Sequence, residues 1–464
     1  MIQKFVKQMF VVLGTHYSSM ERWQRNACLK LIHVGELAFE TVPYLAFMVL
    51  PIIAFRGEWS FTSIVVASWC ISEILFHIYS HVVIYKLTKN PKHHIPMTQD
   101  TRKTIALQVC DHLVDPDAEL RGWMHPTPKG RLHINDILTW VAWGFFGKDL
   151  SEITQDEQPL VKEVLDIFNN KLQCNDVWPR KEQQPTYTIR PTLDALDLGI
   201  KSLAMYAFFS VLKIGICTAW CLDGFRFEII GKGVSYWIRE PEDEEGEPIM
   251  LLHGGGVGIY MYATQIAYLV RKYPKRRIIL YIISNACLAP ASDDISVEDI
   301  ISTIDILFAN EKVSKVSIIA HSFGTMVAGF LVLHRPQYLA RLTFVDPICF
   351  MIYDSSFAFL SLYAKPTCLF HHIYYILSRD PVFASFLHNQ WLPVFLFFPE
   401  SITVPATIYV AERDWIVDGR KTFNYLQDRK AKSNLDNVDL HLIDMTHGEY
   451  LYSMERIKRF SAAL

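Results

Sequence analysis

The residues best suited to chemistry lie in the C-terminal half of the chain, and the first of them is Ser322. It stands in Val316-Ser317-Ile318-Ile319-Ala320-His321-Ser322-Phe323-Gly324, where a β-branched run stops and a helical pattern begins at Thr325. A strand that turns into a helix at one residue lifts that side chain clear of the sheet, and the positions two before and two after it must be small. They are Ala320 and Gly324. A serine hydroxyl is a poor nucleophile until an imidazole takes its proton. His447, in Met445-Thr446-His447-Gly448 after the last apolar strand, is the candidate base. A carboxylate must then orient that imidazole and stabilise its cation. Asp414, in the turn Glu412-Arg413-Asp414 after the strand over 403–411, is the first choice. Asp346 also ends a strand and is the rival, with Asp418 and Asp444 behind it. Upstream, Pro248-Ile249-Met250-Leu251-Leu252 runs into His253-Gly254-Gly255-Gly256. Glycines allow the main chain to approach a substrate closely, which suits a turn that must aim backbone N–H groups at a developing oxyanion.

These residues need a frame. The stretches 227–230 and 234–238 read as short strands around Gly231 and Gly233. Further strands are expected at 277–283, 341–347 and 438–444, with a helix over 297–309. Strands alternating with helices imply a mostly parallel sheet whose loops at the strand C-termini carry the chemistry. The pattern breaks between 347 and 402, an insertion rich in aromatics that include Phe357, Phe359, Tyr374, Phe383, Phe386 and Trp391. Such a cap either packs for structure alone or forms a lid that meets a bilayer and shapes an acyl pocket.

The order of His-Gly-Gly-Gly, serine elbow, strand-ending acid and final His-Gly resembles the α/β-hydrolase superfamily over residues 225–464, its lipase and esterase branches most. The resemblance implies that Ser322 is the nucleophile, Asp414 the acid and His447 the base. It places the oxyanion hole at the N–H groups of Gly255 or Gly256 and of Phe323. GxGxxG is not satisfied, no Walker Lys-Ser/Thr follows, and no metal-ligand spacing occurs, so neither cofactor nor metal is expected.

Composition turns attention to membranes. The 464 residues are 51% hydrophobic and 13% aromatic, and the net charge of −3 offers no basic surplus for nucleic acid. Nine scattered cysteines, an odd number, read as reduced thiols in a chain facing the cytosol. Residues 1–100 form the expected anchor region, with apolar runs at 37–55 and 61–85 that are each long enough to cross ~30 Å of hydrocarbon. Lys30 before the pair and Lys86 and Lys89 after it put both outer ends in the cytosol as a helical hairpin, in an internal membrane such as the endoplasmic reticulum. Glu73, His77 and His81 share one helix face and are expected to pair with polar residues of the facing helix. Residues 101–224 read as a helical linker packing on the later domain. Its apolar run 203–222 contains Lys213, which costs ~2.5–3.5 kcal/mol at a bilayer centre and favours a half-immersed helix. The functional expectation is a membrane-associated serine hydrolase that cleaves an acyl ester of a lipid. Acyltransferase, thioesterase and peptidase chemistry on the same residues, or a silent scaffold, are the alternatives.

Overall fold

The computed structural model describes residues 22–57, 59–89, 97–125, 134–172, 187–289, 295–366, 369–389 and 396–462. Residues 1–21 of the expected anchor region, and Trp391 in the insertion, lie outside them.

One sheet organises the C-terminal half. Its strands are β1 (Phe225–Gly231), β2 (Val234–Arg239), β3 (Ile249–Leu252), β4 (Ile278–Ile283), β5 (Val316–His321), β6 (Leu339–Val345), β7 (Ala406–Ala411) and β8 (Val438–Ile443). They lie in the order β1-β2-β4-β3-β5-β6-β7-β8. The hairpin of β1 and β2 is antiparallel and β2 joins β4 antiparallel, while β4 through β8 run parallel. Every residue of β3, β4, β5 and β7 is buried, as continuous apolar runs between two helical layers require. With the helices that separate these strands, this is the α/β-hydrolase fold. Strand β3 is flanked by β4 and β5, so the chain reverses its direction of travel across the sheet there. A crevice opens at such a switch point, beyond the strands' carboxyl ends. The loop after β3 carries His253-Gly254-Gly255, and the turn after β5 carries Ser322.

Part of the N-terminal half is built into the same core. Trp123, Trp140, Phe146 and Phe168 join a continuous apolar cluster with Ile318, Phe330 and Phe344 of the sheet domain. A buried ionic knot ties the two halves further: Lys421 pairs with Asp354 and lies 3.3 Å from Glu119.

Among the described residues, three helices are long and apolar enough to cross a membrane. They are α1 (Arg22–Arg56), α2 (Phe61–Lys89) and α3 (Leu203–Leu222). Helices α1 and α2 form a hairpin, with Ala46, Ala67 and Cys70 buried, small side chains of the kind that bring helix backbones close. Their outer surfaces expose Phe47, Met48, Phe61 and Trp69. Along α3, Trp220 stacks on Tyr260 with ring centroids 5.6 Å apart, while Phe208, Val211 and Ile214 are exposed. Its mid-run cation does not face outward, because Lys213 Nζ donates to the Leu288 carbonyl at 3.2 Å and sits 5.4 Å from the Tyr260 ring centroid.

The polar stripe on α2 departs from expectation. Glu73 does not pair inside the hairpin. Its carboxylate accepts the N–H groups of Leu203 at 2.7 Å and Ala204 at 3.2 Å, capping the N-terminus of α3. Four orphan N–H groups open every helix, and a carboxylate there satisfies two of them and complements the helix dipole. His77 instead packs its ring against Tyr44, Phe47 and His81.

The insertion between β6 and β7 is helical. After α4 (Phe323–His334), which follows the elbow, come α5 (Leu369–Ser378) and α6 (Pro381–Asn389). Helix α5 packs on α1, and α6 on α2. Asp380, buried between them, accepts the Phe383 N–H at 3.1 Å and the Tyr206 hydroxyl of α3.

Candidate active site

The elbow is built by local sterics. Ser322 has φ 51° and ψ −120°, a conformation that non-glycine residues adopt only when the surroundings force it. Its N–H donates to Val345 O at 3.1 Å, and its carbonyl accepts Thr325 N at 2.9 Å and Thr325 Oγ1 at 2.6 Å. The small residue two beyond is mandatory, since a Cβ on Gly324 would stand 2.3 Å from the Leu252 carbonyl oxygen. Backbone cannot yield there as a flexible side chain could.

Three side chains from three loops meet at this point. His447, on the turn after β8, places Nε2 2.9 Å from Ser322 Oγ. Its Nδ1 lies 2.6 Å from Asp414 Oδ2, on the turn after β7. The other Asp414 oxygen accepts Ile416 N at 2.8 Å and Val417 N at 3.2 Å, so the carboxylate is fixed before it meets the imidazole. A carboxylate only accepts, so Nδ1 carries the proton and Nε2 accepts from the serine hydroxyl. Burial pulls the His447 pKa down. The charge and hydrogen bond of Asp414, with the charge of Asp346 behind, outweigh it and hold the pKa above the ordinary 6.5.

The other carboxylates named from the sequence lie elsewhere. Asp346 accepts the Gly448 N–H at 2.7 Å, one residue past His447, and its backbone has φ 48°. Asp418 caps the helix Gly419–Ser433 by accepting Lys421 N at 3.0 Å. Asp444 pairs with Arg413 at 2.7 Å on the surface. His253 has no role with Ser322. Its Nε2 accepts Ile283 N at 3.2 Å and its Nδ1 donates to Gly254 O at 2.8 Å, while burial lowers its pKa to about 4.

The glycine run needs one correction. Gly256, named as an alternative oxyanion donor, cannot serve, because its N–H already donates to Ala286 O at 3.0 Å. The Gly254 N–H is committed to Tyr262 Oη at 2.7 Å. Among the described residues, no acceptor faces the N–H of Gly255 or of Phe323, the first residue of α4. Both lie beneath the cap. A Cβ on Gly255 would stand 2.5 Å from Phe383 Cζ of α6, and the Phe386 ring meets Phe323 edge-on at 4.9 Å. On the acid side, Trp415 touches His447 at 5.4 Å and stacks on His371 of α5 at 5.0 Å. Sequence reasoning named Phe383 only as one aromatic among many and missed Trp415 and Tyr262. No pattern marks Trp415 and Tyr262, although Trp415 directly follows the acid.

No family model matches the chain, and no curated protein matches it significantly. Solved structures share the architecture at low identity. A bacterial membrane phospholipase A described as a virulence factor is 13% identical, with TM-score 0.40, over 56% of this chain and 93% of its own. Carboxylesterase CesB from Bacillus subtilis is 14% identical, with TM-score 0.39, over 55% and 96%. An epoxide hydrolase mutant from Vigna radiata is 14% identical, with TM-score 0.38, over 52% and 97%. At these values none bears on what this chain does, and the functional argument rests on the residues themselves.

Proposed function

We propose that this protein is a membrane-associated serine hydrolase that cleaves an acyl ester of a lipid through an acyl-enzyme. Ser322 Oγ attacks the ester carbonyl carbon while His447 Nε2 takes the hydroxyl proton. Asp414 holds the imidazole in the reactive tautomer and stabilises its cation. The tetrahedral oxyanion accepts hydrogen bonds from Gly255 and Phe323, donors of a kind each worth ~10²–10³ in rate. His447 then protonates the departing alkoxide. Water, deprotonated by the same imidazole, attacks the acyl-serine and releases the acid, and His447 returns the proton to Ser322.

The observation that carries this reading is the unbroken hydrogen-bond chain from Ser322 through His447 to Asp414 at a strained elbow. The membrane and lipid part is supported by three apolar helices and by a cap whose helices rest on two of them. With α3 half-immersed and not spanning, the basic residues Lys86 and Lys89 after the hairpin support a catalytic domain on the cytosolic side. The Phe383 ring of the cap lies close over Gly255, which supports a cap that bounds the acyl site.

The test is fluorophosphonate labelling of membranes containing the full chain, beside Ser322→Ala, followed by a panel of monoacyl, diacyl, triacyl and phospholipid substrates. Labelling and ester hydrolysis lost together in Ser322→Ala support the reading. Label that persists in the variant overturns it.

A further inference from the structure

We propose that Asp346, His321 and Tyr262 form a positioning relay that ties the loop of the base to the loop of the oxyanion donor and keeps the two in register. The proposal rests on the serine-hydrolase reading above. It assigns a use to three buried polar side chains that the chemistry itself leaves idle.

The links run in sequence through the protein interior. The Gly448 N–H donates to Asp346 Oδ2 at 2.7 Å. His321 Nε2 lies 3.5 Å from the same oxygen. His321 Nδ1 is 2.6 Å from the Tyr262 hydroxyl. That hydroxyl accepts the Gly254 N–H at 2.7 Å. The path thus begins one residue after His447 and ends one residue before Gly255. It passes through the residue that precedes Ser322.

Proton placement along this path has one consistent solution. Tyr262 accepts from Gly254, so its own proton goes to His321 Nδ1. The imidazole then carries its single proton on Nε2, the nitrogen that faces the Asp346 carboxylate. Burial holds His321 below the ordinary imidazole range, which keeps it neutral and this tautomer intact. All three side chains are enclosed; the Gly448, Tyr262 and Gly254 links are hydrogen bonds, and the longer His321–Asp346 contact is electrostatic, since His321 Nε2 makes no hydrogen bond among the described residues. Neither end of the path can drift without breaking a link.

Geometry around the relay fits the role. A Cβ on Gly254 would stand 2.9 Å from both His321 Nδ1 and Ser322 Cβ, so the relay closes only because that residue has no side chain. Asp346 holds its carboxylate in place from a backbone at φ 48°. Its contact is with the backbone after the base and not with the imidazole, so it acts through position. The rings of His447 and Tyr450 pack on His321 at 5.3 Å each, which leaves it no room to turn away.

The experiment uses the full chain in phosphatidylcholine vesicles, p-nitrophenyl butyrate as substrate and a fluorophosphonate as titrant of Ser322. Tyr262→Phe removes the central hydroxyl. Asp346→Gly removes the one oxygen that both the Gly448 N–H and His321 Nε2 face, and glycine tolerates the backbone angle. Each single variant is expected to lower kcat by about 30-fold with KM within about twofold, and to slow phosphonylation in parallel. Groups acting as one unit are not additive, so the double variant should fall no more than about threefold below the worse single. His321→Gln offers the same acceptor and donor and should recover to within about threefold of wild type, whereas His321→Ala should not. Melting temperature is recorded for each. If Tyr262→Phe does not fold, the His321→Gln and His321→Ala pair carries the test. A labelled wild type with a double-variant loss equal to the product of the singles overturns the relay and leaves the hydrolase intact. So do single variants within twofold of wild type, or equal losses in the two His321 variants. A wild type that takes no label on Ser322 sinks the hydrolase reading itself.

Discussion

Asp414→Asn tests the assignment of the acid at the point where the geometry is tightest. Asp414 Oδ2 is 2.6 Å from His447 Nδ1, and Oδ1 accepts the N–H groups of Ile416 and Val417. Asparagine has one acceptor atom, and those two backbone donors claim it. Its amide nitrogen must therefore face Nδ1, which can no longer carry a proton there. The imidazole switches tautomer, Nε2 becomes a donor, and it cannot accept the Ser322 proton. Loss of the reactive tautomer costs ~10⁴ in kcat, which at ~1.36 kcal/mol per decade is ~5.4 kcal/mol of transition-state stabilisation. A pH effect accompanies it. The His447 pKa stands above 6.5 in the folded protein, chiefly through Asp414. A base works when neutral, so wild-type activity rises with pH through that raised value, and in the variant the midpoint moves to lower pH. The linked stability has the opposite sense: it is full below the unfolded pKa and is lost as pH rises through the folded one. The assay is kcat against pH on a chromogenic ester, with phosphonylation rates alongside. Activity within tenfold of wild type, or a larger loss and midpoint shift in Asp346→Asn, would refute the assignment.

Three further outcomes are expected. Gly324→Ala puts a Cβ 2.3 Å from the Leu252 carbonyl, so the elbow must shift, and both labelling of Ser322 and the melting temperature should fall; a fully labelled variant would show that the turn is slack. Burial raises the Asp380 carboxyl from 3.8 to about 6, so stability drops as pH climbs between those values. Asp380→Asn should flatten that slope in melting curves, and an unchanged slope would mean another group is responsible. Removing the cap of α3 with Glu73→Ala should cost ~1–2 kcal/mol and speed hydrogen exchange at Leu203 and Ala204 about tenfold; unchanged exchange there would remove the capping role.

The parts of the site that sequence reveals are those set by neighbours along the chain. Ser322 was legible because the elbow imposes its own spacing: only a small residue fits at 324, against Leu252 O. The strands announced themselves as buried β-branched runs, although β7 starts at Ala406 and not at 403. Proline at 405 has no N–H for the ladder, and its carbonyl alone serves Leu342. Contacts across long separations were not legible. Which glycine N–H remains open depends on Ala286, thirty residues on, which occupies that of Gly256. Glu73 finds Leu203 across the fold, so a stripe that reads as a hairpin partner is a helix cap. Asp346 and Asp414 each follow a strand, and only the position of the His447 turn separates them.

Mass spectrometry of the fluorophosphonate-treated protein tests the central claim most directly. The peptide containing Ala320-His321-Ser322-Phe323-Gly324 should carry the phosphonyl group on Ser322, with labelling abolished in Ser322→Ala and slowed by orders of magnitude in His447→Ala. Modification of any other residue, or a protein that hydrolyses esters while Ser322 stays unmodified, would contradict the account.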